Sequence, residues 1–497
     1  MTQNPDTNTI TPNTGHEIRT GRAVVYTGDS VAGSSSAATT GTDTTAPYKR
    51  YYIESEANLK DRSFIVVYII MLAGYLGFTA YGCYLSNQPV PTTSSIGDRL
   101  YEKSAVRLRD LMLTIFSVIS IGGVLSFLSI VSISYFPKIM YQIFVLCGPF
   151  IYVGLACYLY MYWSSTLASS VLLFLAVLHL IYLALRRKHI RLYRILMIET
   201  ADIGYWQEKY VYPSLLWIII VIVSMFSLFG GYGLFKFYLY HYYRATDSAL
   251  YAFYFSIVVF GWLWNVNLIR NMFKTVVIGL NVNRLLREGP LYEEPAKLRP
   301  ALWSYASARY LGQVLHSSAI VSLCQTFCLL VLFMQYESFN DMVGTLALVG
   351  VLQHCVNLLV KQFGLIHCVM FGSSFFDGTF DSYVPILFYD ELCSHVISLA
   401  SLLAVVVSAA VSGRIVVYYW TYRFDYEIAL IFCMSGGFVA LVTGNIFFDS
   451  LRATVATHII AYGENPVVMS RTSPLFTEAA RRFTIMENPG IIGNDEE

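Results

Sequence analysis

The sequence predicts an all-α polytopic membrane protein with about ten transmembrane helices and both termini in the cytosol. Hydrophobic residues make up 56% of the 497-residue chain and charged residues only 13%, whereas charge approaches about a quarter of a soluble globular protein. The mean hydropathy is +0.54. Apolar runs of about 20 residues, the length that crosses the hydrocarbon core as a helix, recur along the chain.

Residues 1–62 are predicted to form a disordered cytosolic tail. They are rich in Thr, Ser, Asn, Gly and Asp, and the stretch SVAGSSSAATTGTDTTAP is close to low complexity. Such a segment has too little apolar surface to offset the entropy lost on ordering it. It lacks the apolar core and small-residue cleavage site of a signal peptide, so the first span is expected to insert as a signal anchor.

Ten apolar runs within residues 63–448 are predicted to form the transmembrane bundle, and residues 449–497 a cytosolic C-terminal tail. An even number of spans puts both termini on the same side of the membrane. The runs lie at residues 63–85, 111–135, 140–162, 164–185, 213–238, 249–268, 315–336, 343–369, 392–411 and 428–448.

Basic residues predict which side of the bundle faces the cytosol. The loop after the fourth run reads RRKHIRLYR, and the loop after the sixth run and the C-terminal tail are also rich in Lys and Arg. The predicted outer loops after the third and seventh runs contain neither residue, as the positive-inside rule expects. Residues 86–110 disagree, because they are predicted to lie outside and yet carry four basic residues, partly offset by three acidic ones.

Composition and motifs also restrict the function. The formal net charge is +1, so no nucleic-acid partner is predicted. The nine cysteines lie in or beside apolar runs without zinc-site spacing, and we predict packing roles for them and no metal or cofactor. No G-x-S-x-G, P-loop or H-E-x-x-H motif occurs, and His241 and Asp247 lack the spacing of membrane acyltransferases. An enzyme is therefore not predicted.

The stretch FGWLWNVNLIRNM, residues 260–272, places polar and aromatic residues at the end of the sixth apolar run. A stripe of such residues would be costly in lipid and is predicted to face the bundle interior or the cytosolic water beyond it. Alternatively, the two tryptophans belong to the aromatic belt and the basic residues lie among the headgroups. The residues that fall on one stripe at about 100° per residue are Trp264, Asn267, Asn271 and Lys274.

The interior interpretation makes this stretch the candidate substrate site. The candidate substrate-binding residues in it are Trp264, Asn267, Asn271 and Trp262. A further candidate is Glu199, in RILMIETADIGYWQEKYVYP ahead of the fifth span, as a carboxylate at the inner mouth that balances a cation or carries a proton. The alternative is a solvated glutamate paired with Arg194 or Lys209 on an amphipathic cytosolic helix.

Five stretches of the second half carry a family resemblance. They are RKHIRLYRILMIETADIGYWQEKYVYP, WLWNVNLIRNMFKTVVIGLNVNRLL, ALWSYASARYLGQVLHSSAIVSLCQTF, VMFGSSFFDGTFDSYVPIL and FFDSLRATVATHIIAYGENPVVMSRTSPLF, in this order. Together they resemble the choline transporter-like family (solute carrier 44), especially its short-loop members of the fungal and protist type. The resemblance covers about residues 186–482, whereas the first four spans match only in hydropathy and spacing. Matching positions include Glu199, Gly312, Ser318, Gln325, Asp449, Glu464, Pro466 and Pro474.

The resemblance implies movement of choline, or a related amine such as ethanolamine, by facilitated transport or proton exchange. A quaternary ammonium cannot donate a hydrogen bond and is best held by aromatic faces, and 15% of this chain is aromatic. The expected partners are this small molecule and the lipid bilayer, and the expected location is the plasma membrane, with internal membranes as the alternative. Two other functions stay open: a non-transporting scaffold or trafficking protein that works through its tail, and a carrier of lipid headgroups or thiamine derivatives.

Overall fold

The computed structural model describes residues 61–86, 108–163, 166–185, 194–199, 216–244, 248–286, 309–334, 363–371, 374–376, 426–487 and four positions between 411 and 418. All of these belong to one compact unit over Asp43–Glu497. The tail up to residue 60, most of the segment 86–110, most of the predicted eighth and ninth spans, and the basic loops after the fourth and sixth spans lie outside the described residues.

All secondary structure in the described part of the chain is helical, which confirms the predicted fold class. A short helical turn also covers residues 194–199. The helices are α1 (Ser63–Ser86), α2 (Leu108–Tyr135), α3 (Pro137–Trp163), α4 (Thr166–Leu185), α5 (Ser224–Arg244, preceded by a π-helical turn at Ile219–Val223), α6 (Ser248–Leu286), α7 (Leu311–Met334), α8 (Phe363–Phe371), α9 (Tyr426–Glu464), α10 (Pro466–Thr472) and α11 (Pro474–Glu487).

Within the described residues, five helical segments are long and apolar enough to cross a membrane. They correspond to the first, second, third, fifth and sixth predicted spans. The segments are Ser63–Tyr84, Met112–Tyr135, Pro137–Gly154, Leu216–Leu234 and Ala252–Leu286. Helices α4, α7 and α9 cover the fourth, seventh and tenth predicted runs, while the total of ten spans and the side of the termini stay predictions.

The outer helices expose large apolar side chains that a soluble protein would bury. Ile69 and Ile70 on α1 and Phe174 on α4 are all exposed. Exposed apolar surface that is continuous over several helices marks contact with lipid or another apolar partner. Helices are also the element that a lipid environment demands, because their backbone N–H and C=O groups are bonded within one segment.

Helix α6 occupies the centre of the bundle. It is 39 residues long and contacts α1, α5, α7, α8, α9 and α10. At about 1.5 Å per residue its length is about 58 Å, roughly twice the thickness of a hydrocarbon core. The predicted sixth span, residues 249–268, is therefore only the first half of a helix that continues far beyond it.

The remaining helices pair around this centre. Helix α1 packs on α5, α2 packs more extensively on α9 than on α3, and α3 packs on α4. Helices α3 and α4 are adjacent in the chain, since α3 ends at Trp163 and α4 begins at Thr166. Helices α2 and α9 are far apart in the chain, so their pairing is a long-range contact, and α9 also packs on α6.

The segment 449–497, predicted as a tail, is folded as far as Glu487. Helix α9 continues to Glu464, and Asn465 then caps α10 by accepting a hydrogen bond from the Val468 backbone N–H. Thr472 Oγ1 donates to the Leu285 carbonyl at the end of α6, 2.9 Å away. The C-terminal helices therefore hold the far end of α6 in place.

Close packing of α1 against α6 depends on Gly261. A Cβ atom at this position would lie 2.6 Å from Tyr75 Cβ and 2.7 Å from Tyr75 Cδ2. We expect Gly261→Ala to push the two helices apart and to lower the free energy of unfolding by roughly 1–3 kcal/mol, as overpacking does. Thermal unfolding of the purified protein in detergent measures this as a lower melting temperature.

The matched control is Gly154→Ala on α3, where a Cβ atom would meet nothing within 4 Å. Alanine is the better helix former by about 1 kcal/mol, so this variant should melt at or above the wild-type temperature. Equal melting temperatures for the two variants would show that Gly261 is not needed for the contact.

Candidate substrate site

The polar stripe of α6 faces the interior of the bundle. Its four residues are each between 2% and 6% exposed: Trp264, Asn267, Asn271 and Lys274. The helix opposite the first three of these residues is α7, which accepts hydrogen bonds from each of them. This geometry favours the interior interpretation of the stripe over the aromatic-belt interpretation, because a belt tryptophan would lie against lipid.

Asn267 joins α6 to α7 through its amide nitrogen and has a hydrogen-bond partner at both of its polar atoms. Its Nδ2 donates to Ser322 Oγ at 2.8 Å and to Gln325 Oε1 at 2.9 Å. Its Oδ1 accepts from Arg270 Nη1 at 3.3 Å. The amide is therefore fully engaged with protein groups in this conformation.

Asn271 repeats the arrangement one helical turn further on. Its Nδ2 donates to Ser317 Oγ at 2.9 Å and to Ser318 Oγ at 3.0 Å. The Ser318 hydroxyl in turn donates to the Val314 carbonyl on its own helix. Because the Ser318 hydroxyl hydrogen is donated within α7, the Ser318 oxygen can only accept a further hydrogen bond. The Asn271 amide N–H supplies the donor for that bond.

Trp264 lies where α1, α6 and α7 meet. Its Nε1 donates to the Leu315 carbonyl of α7 at 3.2 Å. The Tyr68 ring of α1 meets the indole edge-on with centroids 5.4 Å apart, and Phe260 lies 5.2 Å away on the other side. The Tyr68 hydroxyl donates to Asn265 Oδ1 at 2.7 Å. The rings of Trp264, Tyr68 and Phe260 thus lie beside the hydrogen bonds that join the α6 asparagines to α7.

Trp262 is buried on a different face of α6. Its Nε1 donates to Ser227 Oγ of α5 at 2.8 Å. Two residues along a helix turn by about 200°, so Trp262 points away from the stripe. The structure does not bring Trp262 together with the other candidates, and its assignment to the same site stays a prediction.

Glu199 lies at the end of the helical turn at residues 194–199 and is half-buried. Its neighbours Leu196 and Met197 belong to the hydrophobic core. None of the described contacts of the stripe involves Glu199, and Lys209, one of its predicted partners, lies outside the described residues. Its role at an inner mouth stays a prediction.

Several residues of this site were not among the sequence-predicted binding residues. Tyr68 was not singled out, since nothing in the sequence of α1 links it to a helix 197 residues away. On α7 the helical spacing of polar residues in an apolar run was the available signal, because i, i+4 and i+7 share one face. The residues of α7 with this spacing are Ser318, Ser322 and Gln325.

A buried charge cluster lies at the Lys274 end of the stripe, where α6 meets α9. Asp449 is fully buried and forms an ion pair with Arg270 Nε. The same carboxylate lies 3.6 Å from Lys274 Nζ and accepts from Arg452 Nη1 at 2.8 Å. One carboxylate thus stands among three basic groups from two helices, and it holds the extended end of α6 against α9.

The arrangement has the chemistry to contact an organic cation. Aromatic faces attract a cation by about 0.5–2 kcal/mol per favourable ring, and Trp264, Tyr68 and Phe260 supply such rings. Amide and hydroxyl groups beside them can bind a hydroxyl or amine group of the same molecule.

In the described part of the chain, the exposed apolar side chains and the helices long enough to cross a bilayer are those of a multi-pass membrane protein. The family described as plasma-membrane choline transporter matches residues 170–467, which is more than half of the chain. The chain belongs to this choline transporter family, which confirms the predicted resemblance. The chain is also similar to Protein PNS1 of Mycosarcoma maydis, with 24% identity over 473 residues that cover 86% of this chain and 84% of that protein.

Membership of this family points to a transporter rather than an enzyme. It also confirms the predicted location as a multi-pass membrane protein of the plasma membrane. The match begins at residue 170, within α4, and so reaches one span further towards the N-terminus than the resemblance seen from the motifs.

Proposed function

We propose that this protein transports choline, or a related amine such as ethanolamine, across the plasma membrane. The observation that carries the proposal is the burial of Trp264 beside Tyr68 and Phe260 in the interior of a chain that belongs to the choline transporter family. Rings in that position suit a substrate with a permanent positive charge, which offers no hydrogen-bond donor on its nitrogen.

In the proposed site Trp264 contacts the ammonium group, and Asn267 and Asn271 line the path beside it. Their amides are bonded to α7 in this conformation, so transport requires α7 to move away from α6. Neutral hydrogen bonds between membrane helices average about 0.6 kcal/mol each. Breaking these hydrogen bonds therefore costs little free energy. Weak hydrogen bonds suit a surface that opens and closes in every cycle, whether by facilitated transport or by proton exchange.

Trp262 and Glu199 complete the proposed site. Trp262 would contribute from the side of α6 that packs on α5. Glu199 would supply a carboxylate at the inner mouth that balances the cation or carries a proton. If it carries a proton, Glu199→Gln should flatten the dependence of uptake on pH. The control is Glu478→Gln, an exposed glutamate on α11, and the same pH profile for both variants would remove Glu199 from the proposed site.

The proposed topology has ten spans within residues 63–448, a cytosolic tail over residues 1–62 and a cytosolic C-terminal segment over 449–497. We propose that the tail is disordered only ahead of Asp61, because the Asp61 carboxylate accepts a hydrogen bond from the Phe375 backbone N–H and is ordered. The basic loops and the even number of apolar runs support it. Protease added to sealed, right-side-out cells should leave an epitope at either end of the chain intact. Cleavage of either epitope from outside would reject the proposed orientation.

The direct test of the function is uptake of radiolabelled choline and ethanolamine into vesicles that contain the purified full-length protein. We expect saturable uptake that unlabelled choline inhibits more strongly than thiamine derivatives or lipid headgroups do. Empty vesicles are the control. Absence of uptake of both amines by folded protein would contradict the proposal.

Deletion of residues 1–48 separates the transporter from the alternative, a scaffold or trafficking protein that works through its tail. The tail has little apolar surface with which to contact the bundle. The deletion should therefore leave uptake per molecule nearly unchanged. Abolished uptake at normal expression would favour a function that depends on the tail.

A further inference from the structure

His316, the residue after Leu315 on α7, is enclosed by aromatic rings where α1 begins. Its imidazole stacks on Phe64 of α1 with centroids 3.8 Å and planes 14° apart. Phe376 meets it edge-on at 4.6 Å, and Phe375 lies at 5.3 Å. We call Phe64, Phe375 and Phe376 the aromatic cage. The His316 side chain inside it is only 3% exposed.

A carboxylate completes this enclosure. Asp61 Oδ1 lies 3.6 Å from His316 Nδ1, and Asp61 Oδ2 accepts a hydrogen bond from the Phe375 backbone N–H at 3.2 Å. Asp61 has a φ of 60°, a left-handed conformation that Asp tolerates better than most residues. Within the described residues, the buried Nδ1 of His316 has no hydrogen-bond partner. The cage therefore holds His316 Nδ1 close to the Asp61 carboxylate without a hydrogen bond between them.

Aromatic faces around a carboxylate suit a cation that cannot donate hydrogen bonds. The rings attract its charge through their faces, and the carboxylate supplies the counter-charge at a distance of van der Waals contact. His316 occupies the space that such a headgroup would fill. The His316 imidazole, between Phe64 and the two phenylalanines after α8, therefore lies at the position that the cation would take.

The cage adjoins the candidate substrate site. The Leu315 carbonyl accepts the Trp264 indole N–H, and His316 is the next residue on α7. On α1, Phe64 precedes by one helical turn Tyr68, whose ring contacts Trp264. In the proposed topology the start of α1 and the start of α7 are both at the cytosolic side, so a substrate leaving Trp264 for the cytosol meets the cage next.

We propose that the aromatic cage and Asp61 form a second subsite, for the ammonium headgroup of the substrate, at the cytosolic end of the pathway. His316 closes this subsite in the present conformation and leaves it when the substrate enters. The inference rests on the proposed function, because it names where an amine would bind after the first site.

The experiment uses tetramethylammonium, which has the headgroup charge of choline without its hydroxyl group. Its binding to the purified full-length protein is measured as the rise of the melting temperature with concentration. We expect Phe64→Leu to weaken binding about three- to thirtyfold, the value of one favourable ring, and Asp61→Asn to weaken it about tenfold or more. The matched control is Tyr81→Leu, an exposed aromatic residue on the same helix, which should bind as the wild type does.

His316→Ala tests the closure itself. Removing the imidazole empties the cage, so tetramethylammonium should bind at least as tightly as to the wild type. Weaker binding by a folded His316→Ala protein would overturn the role of His316 as the group that closes the subsite.

The other outcomes separate this inference from the proposed function. Equal stabilisation of the wild type, Asp61→Asn and Phe64→Leu would reject the cage as a subsite while amine binding elsewhere stands. If tetramethylammonium, choline and ethanolamine all fail to stabilise the wild type and no amine is taken up, the cage and the proposed function are both wrong.

Discussion

Asp449→Asn is expected to destabilise the folded protein by roughly 3–5 kcal/mol, the cost of removing one partner of a buried ion pair. Asp449 is fully buried and is the carboxylate that contacts Arg270, Lys274 and Arg452. Its loss leaves the positive charges of the cluster close together without their counter-charge. Because a typical protein has a net stability of only about 5–15 kcal/mol, the variant should express poorly and melt far below the wild type.

The melting temperature and the yield of monodisperse protein in detergent measure this effect. The matched control is Glu478→Gln on α11, an exposed acidic residue whose neutralisation should change stability by less than about 0.5 kcal/mol. Lys274→Met in the Asp449→Asn background removes one of the uncompensated charges and should restore part of the stability. Wild-type melting of Asp449→Asn would show that the cluster does not hold α6 to α9.

Trp264→Ala is expected to raise the choline concentration for half-maximal uptake by about tenfold. The change removes the ring face that we propose contacts the ammonium group and the indole N–H that donates to Leu315. Trp264→Phe keeps a smaller ring without the N–H, so its choline concentration for half-maximal uptake should lie between those of the wild type and Trp264→Ala. Asn267→Leu should slow transport, because it removes an amide that lines the proposed path and can bind the hydroxyl group of the substrate.

Concentration-dependent uptake into vesicles, normalised to the amount of folded protein, distinguishes the site from an anchor. The control is Trp217→Ala, because Trp217 is 70% exposed at the start of the fifth span and can serve as an interfacial tryptophan. That change should lower insertion or expression and leave the affinity alone. If Trp264→Ala behaves in the same way, residues 260–272 do not form the substrate site.

Hydropathy in the sequence was enough to predict an all-helical membrane protein and the approximate positions of its first seven helices. The first run, for example, was predicted at residues 63–85, and α1 is Ser63–Ser86. The period of an α-helix was enough to place Trp264, Asn267 and Asn271 on one stripe. Both signals are local, since they depend on residues within a few turns of one another.

Helical period also separates Trp262 from that stripe, since the two tryptophans are about 200° apart, yet both were predicted to share one site. The structure shows the consequence, with Trp262 bonded to Ser227 of α5 and Trp264 to Leu315 of α7. The ends of α6 and α9 were beyond the reach of hydropathy, because both helices continue past the apolar runs into polar sequence that is buried only by its neighbours.

The sequence by itself therefore determined the class of protein, its family and the residues of one polar helix face. Only the tertiary structure decided what that face meets: α7 hydroxyl groups opposite the asparagines, Tyr68 of α1 over Trp264, and Asp449 of α9 against Arg270. These partners are 55, 196 and 179 residues apart in the chain. The physical reason is that hydrophobicity and helical period act along a single segment, whereas the choice of which two faces pack together depends on the shape and polarity of both.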